Sequence, residues 1–391
     1  MEENASISIV QGIMTEFAAL TGLSPAEEVP RRYLWTDSFA VCNFLELFRQ
    51  TGDEKHKDLA LRLVDQVHHT LGRHRGDDPR TGWISGLDER EGRMHPTKGG
   101  LRIGKKMNER GPGDPFDESL EWDRDGQYYH YLTKWMHALN RVSRVTGDLT
   151  YNQWAIELAK TAHARFTYVP RSGGQKRMYW KMSIDLSYPL VRSMGQHDPL
   201  DGFITYSQLQ VTASGDTEKP TPRDLKAEIS DMAAICEGQS WATDDPLGLG
   251  GLLADALRVA QLIMKENLEQ ADLLETILDS SQLGLQSYAR RNPLKLPADY
   301  RLAFRELGLS IGLHAVKKLK GLTKEKQGIF RKKESLLSRI ESLMLYEPLG
   351  ETLETFWLEP KSRQAETWTA HRDINMVMLA TSLAPDGYLA L

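Results

Sequence analysis

Glu121, Asp123 and Asp125 crowd three carboxyl groups together just ahead of the aromatic run Tyr128-Tyr129-His130. A second acidic group, Asp198 and Asp201, stands beside His197. Carboxylates this close repel one another, and partial burial adds to the effect, so one is pushed toward its protonated form while a neighbour stays ionised. General acid/base chemistry needs that division of roles. The spacing points to Asp125 as an acid and Asp201 as a base, with Asp37, His197 and Arg372 orienting the molecule between them. The histidines offer a second chemistry. His197 and His371 each stand at a helix start, and two imidazoles can exchange a proton at a carbon beside a carbonyl. His130, one turn into its helix, is a further inward candidate. Each residue also has an ordinary structural use, since Asp is a favoured helix cap and a buried His holds hydrogen bonds.

Aromatic side chains at the same level suggest what binds. Trp35, Trp83, Trp122, Trp180, Trp241 and Trp368 fall on or just before the expected helix starts. Flat apolar walls with a few polar groups suit a sugar ring, which has an apolar face and hydroxyl edges. The expected substrate-binding set is Trp35, Asp37, Trp122, Asp123, Tyr128, Trp180, Asp198, Trp241, Arg301 and Arg372. The glycine-rich, basic stretch from Lys98 through Arg102, Lys105 and Lys106 to Arg110 is placed to reach over a cavity and take a carboxylate or phosphate. No CxxC or HExxH spacing indicates a zinc site. No serine nucleophile elbow is present. Neither a metal nor a cofactor is expected.

Helices must position these groups. One turn recurs as Thr51-Gly52-Asp53, Thr146-Gly147-Asp148 and Ser214-Gly215-Asp216. Gly suits the left-handed residue that ends a helix, and Asp directly after it suits the N-cap of the next. Each turn lies between two apolar helical runs, so the unit is a helical hairpin that repeats. In the first hairpin, Ser38 to Gln50 is apolar on most sides and reads as buried. Its partner places Ala60, Leu63, Val64, Val67 and Leu71 on one stripe. Further pairs are expected at Tyr128–Val145 with Tyr151–Phe166, Asp201–Ala213 with Pro222–Glu237, Leu247–Met264 with Glu269–Arg290, and Ala298–Leu319 with Gln327–Tyr346. A sixth buried helix, His371–Leu383, lacks a partner after it. The helix at Ile7–Leu20 is expected to pack beside it and close a ring. Buried-to-outer turns are short, whereas the return connections His74–Asp125 and Tyr168–Leu200 are long, and long loops in compact domains are usually functional. The working face therefore lies at the N-terminal ends of the buried helices. Strand-like pieces are expected only near Gly82–Gly86 and Lys176–Ile184. The run Lys317–Lys333 reads as solvated surface, and Leu247-Gly-Leu-Gly-Gly251 as a place where a helix nears its neighbour.

Composition sets bounds. The chain has 391 residues, 40% hydrophobic and 26% charged, with a net charge of −5. These are ordinary values for a soluble globular protein, and the charge argues against nucleic acid as a main partner. Cys42 and Cys236 fall in apolar helical stretches and read as buried reduced thiols. The N-terminus lacks the basic region of a signal peptide, and no apolar run is expected to approach the ~20 residues of a membrane span. The expectation is a single cytoplasmic domain over 1–391, of unassigned oligomeric state, with no membrane partner.

The repeated turns and the acidic, aromatic helix starts make the layout resemble the six-hairpin α/α toroid enzymes, over most of the chain. These include the six-hairpin glycosidases and the N-acylglucosamine 2-epimerase group. The resemblance implies an all-α (α/α)6 toroid and an enzyme acting on a small saccharide. The unsaturated uronyl hydrolases of this superfamily use aspartates from adjacent hairpins. Asp125 and Asp201 occupy similar places, and the basic loop would suit a uronate. This makes a glycoside hydrolase the first expectation, with an inverting carboxyl separation of ~6.5–9.5 Å. The epimerase group uses histidines as its proton-transferring pair, for which His197 and His371 are the counterparts here. This makes a sugar epimerase or isomerase the alternative. A non-catalytic carbohydrate-binding or scaffold protein on the same frame is the third reading.

Overall fold

The computed structural model describes residues 3–214, 224–266, 271–325, 330 and 333–391. The third repeat of the turn, at Gly215 and Asp216, lies outside the described residues, as do Pro222, Glu269 and Gln327. The chain is all-α, and it opens with α1 (Glu3–Leu20). Packing divides it into two compact units, residues 18–239 and residues 1–17 together with 240–391.

The first of these carries α2 (Leu34–Thr51), α3 (Glu54–Leu71), α4 (Glu89–Met94), α5 (Glu118–Asp123), α6 (Tyr129–Thr146), α7 (Thr150–Phe166), α8 (Asp198–Ser214) and α9 (Lys226–Cys236). Helices α2, α6 and α8 are buried along most of their length. α2 packs on α3 and α6, α6 on α7 and α8, and α8 on α9. The two described copies of the turn use each residue as the sequence suggests. Gly52 and Gly147 take φ of 69° and 76°, and their N–H groups donate to the carbonyls of Phe48 and Ser143. Asp53 accepts from Lys55 N at 3.0 Å, and Asp148 from Thr150 N at 2.9 Å. Both threonine hydroxyls accept from the following Asp N–H at 3.2 Å.

The long connections hold the short strands: β1 (Gln127–Tyr128), β2 (Thr167–Tyr168), β3 (Arg177–Met178), β4 (Lys181–Met182) and β5 (Pro189–Val191). β4 lies between β1 and β5 in an antiparallel sheet, and β2 pairs with β3. Near Gly82–Gly86 there is one bridge, Arg73 to Trp83.

The second unit carries α10 (Pro246–Glu266), α11 (Ala271–Arg291), α12 (Ala303–Glu325), α13 (Lys333–Met344), α14 (Glu347–Leu358), α15 (Glu366–Ala370), α16 (Arg372–Leu383) and α17 (Asp386–Leu389). Buried helices α10, α12 and α16 form its spine, with α12 packed against both others. A Cβ on Gly250 would overlap the Gly308 carbonyl, and one on Gly312 would meet the Gly250 backbone. Helices α10 and α12 therefore touch backbone to backbone, as the glycines of Leu247–Gly251 suggested. α10 departs from one expectation. Its stretch Pro246–Lys265, of mean hydropathy 1.4, is long and apolar enough to cross a membrane, but 72% of it is buried inside the protein, as in a core helix. α1 meets α16 through the ion pair of Glu16 with Arg372. α14 was not anticipated. Pro348 in its first turn starts a new helix after α13. Taken along the chain, the buried and outer helices follow the hairpin order of an (α/α)6 toroid.

Candidate functional site

The starts of α2, α6 and α8 meet within the unit spanning 18–239. Tyr33 and Trp35 come from α2, Tyr128, His130 and Tyr131 from β1 and α6, and Asp198 and Asp201 from the first turn of α8. Trp180 enters just ahead of β4. His130 is the hub. Its ring lies 4.9 Å from Tyr131, 5.2 Å from Tyr128 and 6.1 Å from Trp35, and it stacks with Trp180 at 6.0 Å. Tyr33 and Tyr131 join through their hydroxyls at 2.7 Å.

The polar part of this cluster is a facing pair. His130 Nδ1 stands 3.7 Å from Asp198 Oδ1, too long for a hydrogen bond. His130 Nδ1 and Asp198 Oδ2 are both buried and have no hydrogen-bond partner among the described residues. Burial pushes the Asp198 carboxyl up to about 8, with the charge of Asp201 adding and with Lys134 and a backbone hydrogen bond from Gly195 opposing. Burial also holds the His130 imidazole down, to about 4, against the pull of Asp201. At neutral pH the pair is thus a protonated acid facing a neutral base. Asp201 itself is ion-paired with Lys134 at 2.7 Å. His130 and Lys134 are spaced i, i+4 on α6, and Asp198 and Asp201 i, i+3 on α8, so each pair shares one helix face.

The three crowded carboxylates part company. Asp125 is fully buried and accepts from Arg102 at 2.6 Å, Arg75 at 3.3 Å, and the N–H groups of Gly104 and Gly126, both at 3.0 Å. Two guanidiniums and two amides surround its carboxyl group and tie the loop through Gly104 in place. Glu121 pairs with Lys181 at 2.9 Å and Arg110 at 3.1 Å. Asp123 is exposed. Asp37 also serves the fold, accepting from Tyr33 N at 2.9 Å and from Arg32 at 3.3 Å at the start of α2. Trp122, 49% exposed, meets Trp180 edge-on at 5.5 Å. The two line a cavity of about 270 Å³ with Phe116, Glu118, Tyr128 and Val191. His197 is half-buried and precedes α8, its carbonyl accepting from Asp201 N.

The remaining expected residues belong to the other unit. Arg301 is buried, forked onto Glu306 at 2.7–3.1 Å and laid over Phe356 at 3.8 Å. Its guanidinium is thus engaged with a carboxylate and an aromatic ring inside this unit. Trp241 is buried. Trp368 stacks on Trp357 at 5.7 Å. Together with Ile13, Arg363, Arg372 and Met376 it lines a cavity of about 550 Å³. His371 is exposed, and its ring meets Phe304 edge-on at 5.6 Å. Among the described residues, no group of three or more His, Cys, Asp or Glu side chains is placed to hold a metal ion.

No known protein family profile matches the chain, and no curated protein matches it. Among solved structures the chain is similar to the cellobiose 2-epimerase of Spirochaeta thermophila DSM 6192, at 12% identity over 95% of this chain and 97% of that one, with a TM-score of 0.48. It is also similar to the cellobiose 2-epimerase of Bacillus thermoamylovorans B4167, at 10% identity over 84% and 77%, with a TM-score of 0.45. A sugar epimerase from a ruminal bacterium is similar at 9% identity over 90% and 87%, with a TM-score of 0.45.

Proposed function

We propose that this chain is a carbohydrate-active enzyme that moves a proton on a sugar carbon, as an epimerase or isomerase, with His130 as base and Asp198 as acid. The observation that carries the reading is their facing geometry, with a buried atom on each side, His130 Nδ1 and Asp198 Oδ2, that has no hydrogen-bond partner among the described residues. The neutral imidazole takes the proton from the carbon next to the carbonyl of the open-chain sugar. The protonated carboxyl gives its proton to the carbonyl oxygen, so an enediol forms beside an imidazolium and a carboxylate that stand next to each other. Rotation of the enediol about the adjacent C–C bond turns its other face to His130; return of the carbon-bound proton there, with the enediol hydroxyl giving its proton back to Asp198, gives the epimer. Return to the neighbouring carbon, with the other hydroxyl giving its proton back to Asp198, gives the isomer. The aromatic rings around His130 supply flat surfaces for the sugar and keep the pair from water. The paired-carboxylate scheme of a hydrolase is less well served, because Asp125 and Asp201 each carry a cationic partner.

The test is deuterium incorporation beside the carbonyl, followed by proton NMR in heavy water over a panel of aldoses, hexuronates, hexose phosphates and disaccharides. Incorporation is expected for at least one sugar, falling by about 10²–10⁴-fold in His130→Ala and in Asp198→Asn. No incorporation by the unaltered protein across the panel overturns the reading, and release of a new reducing end without exchange assigns hydrolysis instead.

A further inference from the structure

Basic side chains around the His130 site come with acidic partners. Lys134 has Asp201, Lys181 has Glu121, Arg102 has Asp125 and Arg32 has Asp37, all within 3.3 Å. Lys105 differs. Its ammonium lies 5.6 Å from the centre of the Tyr33 ring, and it makes no ion pair or hydrogen bond among the described residues. The group is half-buried, and desolvation lowers its pKa against the weaker pull of Asp123 and Asp125. Its contact is the face of Tyr33, and a partly desolvated ammonium with no anion paired to it among the described residues stays incompletely compensated.

The backbone around it is fixed. The Lys105 and Lys106 carbonyls accept from Arg75 at 2.5 and 2.7 Å, and Gly104 N donates to Asp125. A second cation stands nearby on the facing chain. Arg124 bridges Met107, two residues past Lys105, and its buried Nη1 lacks a partner. Tyr33 links this corner to the reactive pair, since its hydroxyl meets that of Tyr131, whose ring lies against His130.

We propose that Lys105 receives an anionic group carried by the substrate, so that the site takes an acidic monosaccharide, a hexuronate or a hexose phosphate. This rests on the proton-transfer reading for the identity of the site. A fixed loop offering an ammonium with no anionic partner among the described residues is preorganised for an anion, and lysine meets a carboxylate or phosphate as a point charge.

Binding and turnover are tested separately. Calorimetric titration of the unaltered protein and of Asp198→Asn compares glucose, mannose and galactose with glucuronate and galacturonate, and with glucose 6-phosphate and mannose 6-phosphate. At low salt, one acidic class is expected to bind at least about tenfold tighter than its neutral parents, and the arm that gains identifies carboxylate or phosphate. The gain should shrink as salt rises, collapse in Lys105→Met and persist in Lys105→Arg. Circular dichroism and melting confirm that each variant is folded. Equal binding of neutral and acidic sugars, or a gain that survives Lys105→Met, overturns the proposal. Lys105-dependent binding with no deuterium exchange on any sugar leaves the anion site standing and removes the proton-transfer reading. Exchange on neutral sugars, with no Lys105-dependent gain for acidic ones, does the reverse.

Discussion

Replacing Asp198 by Asn should flatten the protein's stability between pH 6.5 and 8. In the folded chain the Asp198 carboxyl titrates at about 8, against about 3.9 when unfolded. Between those values the native state holds one more proton than the unfolded state, so stability falls as pH rises, by about 1.4 kcal/mol per unit. His130 works in the other direction. Its folded value of about 4 lies below the ordinary ~6.5, so its contribution is complete above that value and is lost as pH falls toward 4. Above pH 6.5 only Asp198 of the pair still changes, and over 1.5 units it removes about 2 kcal/mol. Asn has nearly the same shape and no proton to lose. Urea unfolding at pH 6.5, 7, 7.5 and 8 measures the effect as the difference between the two proteins. The unaltered chain should lose about 2 kcal/mol more than Asp198→Asn across the series. Parallel curves would refute a protonated buried Asp198, and with it the assignment of the acid.

Asp125→Ala leaves Arg102 and Arg75 without their carboxylate and should cost about 3–5 kcal/mol in denaturant unfolding. It should also speed proteolysis within Lys98–Arg110. Intact stability with lost turnover would instead restore Asp125 as a reacting group. Gly250→Ala forces a methyl group into the Gly308 carbonyl and should destabilise by at least about 2 kcal/mol. Its neighbour Gly251 has nothing within 4 Å of an added Cβ, so Gly251→Ala should be neutral or gain up to about 1 kcal/mol. Melting of the two variants side by side checks this, and equal effects would contradict the close helix contact.

What proved legible was what is local. The Gly and Asp of each described turn act within four residues of themselves, so the turns, the helix starts and the glycine contact of α10 could be read from the letters. Asp125 could not. Its crowding with Glu121 and Asp123 suggested coupled carboxylates, but its partners Arg102 and Arg75 stand 23 and 50 positions upstream. Glu121 likewise finds Lys181 60 positions on. The sequence does carry a trace of the His130 site, as a His and a Lys four apart and two Asp three apart. Their confrontation across two helices, and the burial that sets their charges, arise only on packing. Tyr33 and Lys134 were not among the expected site residues for the same reason. α14 was missed because Tyr346-Glu347-Pro348 reads as an ending, whereas the proline begins a helix.

The seam between α10 and α12 limits how this protein can change. A joint made of main chain has no side chains to trim, rotate or exchange, so a bulkier residue on one helix has no compensating smaller one to choose on the other. The two helices are in effect riveted. Drift in that half of the molecule must go around Gly250, Gly308 and Gly312, and distant cousins of this chain should keep that triad of missing side chains long after the surrounding letters have been rewritten.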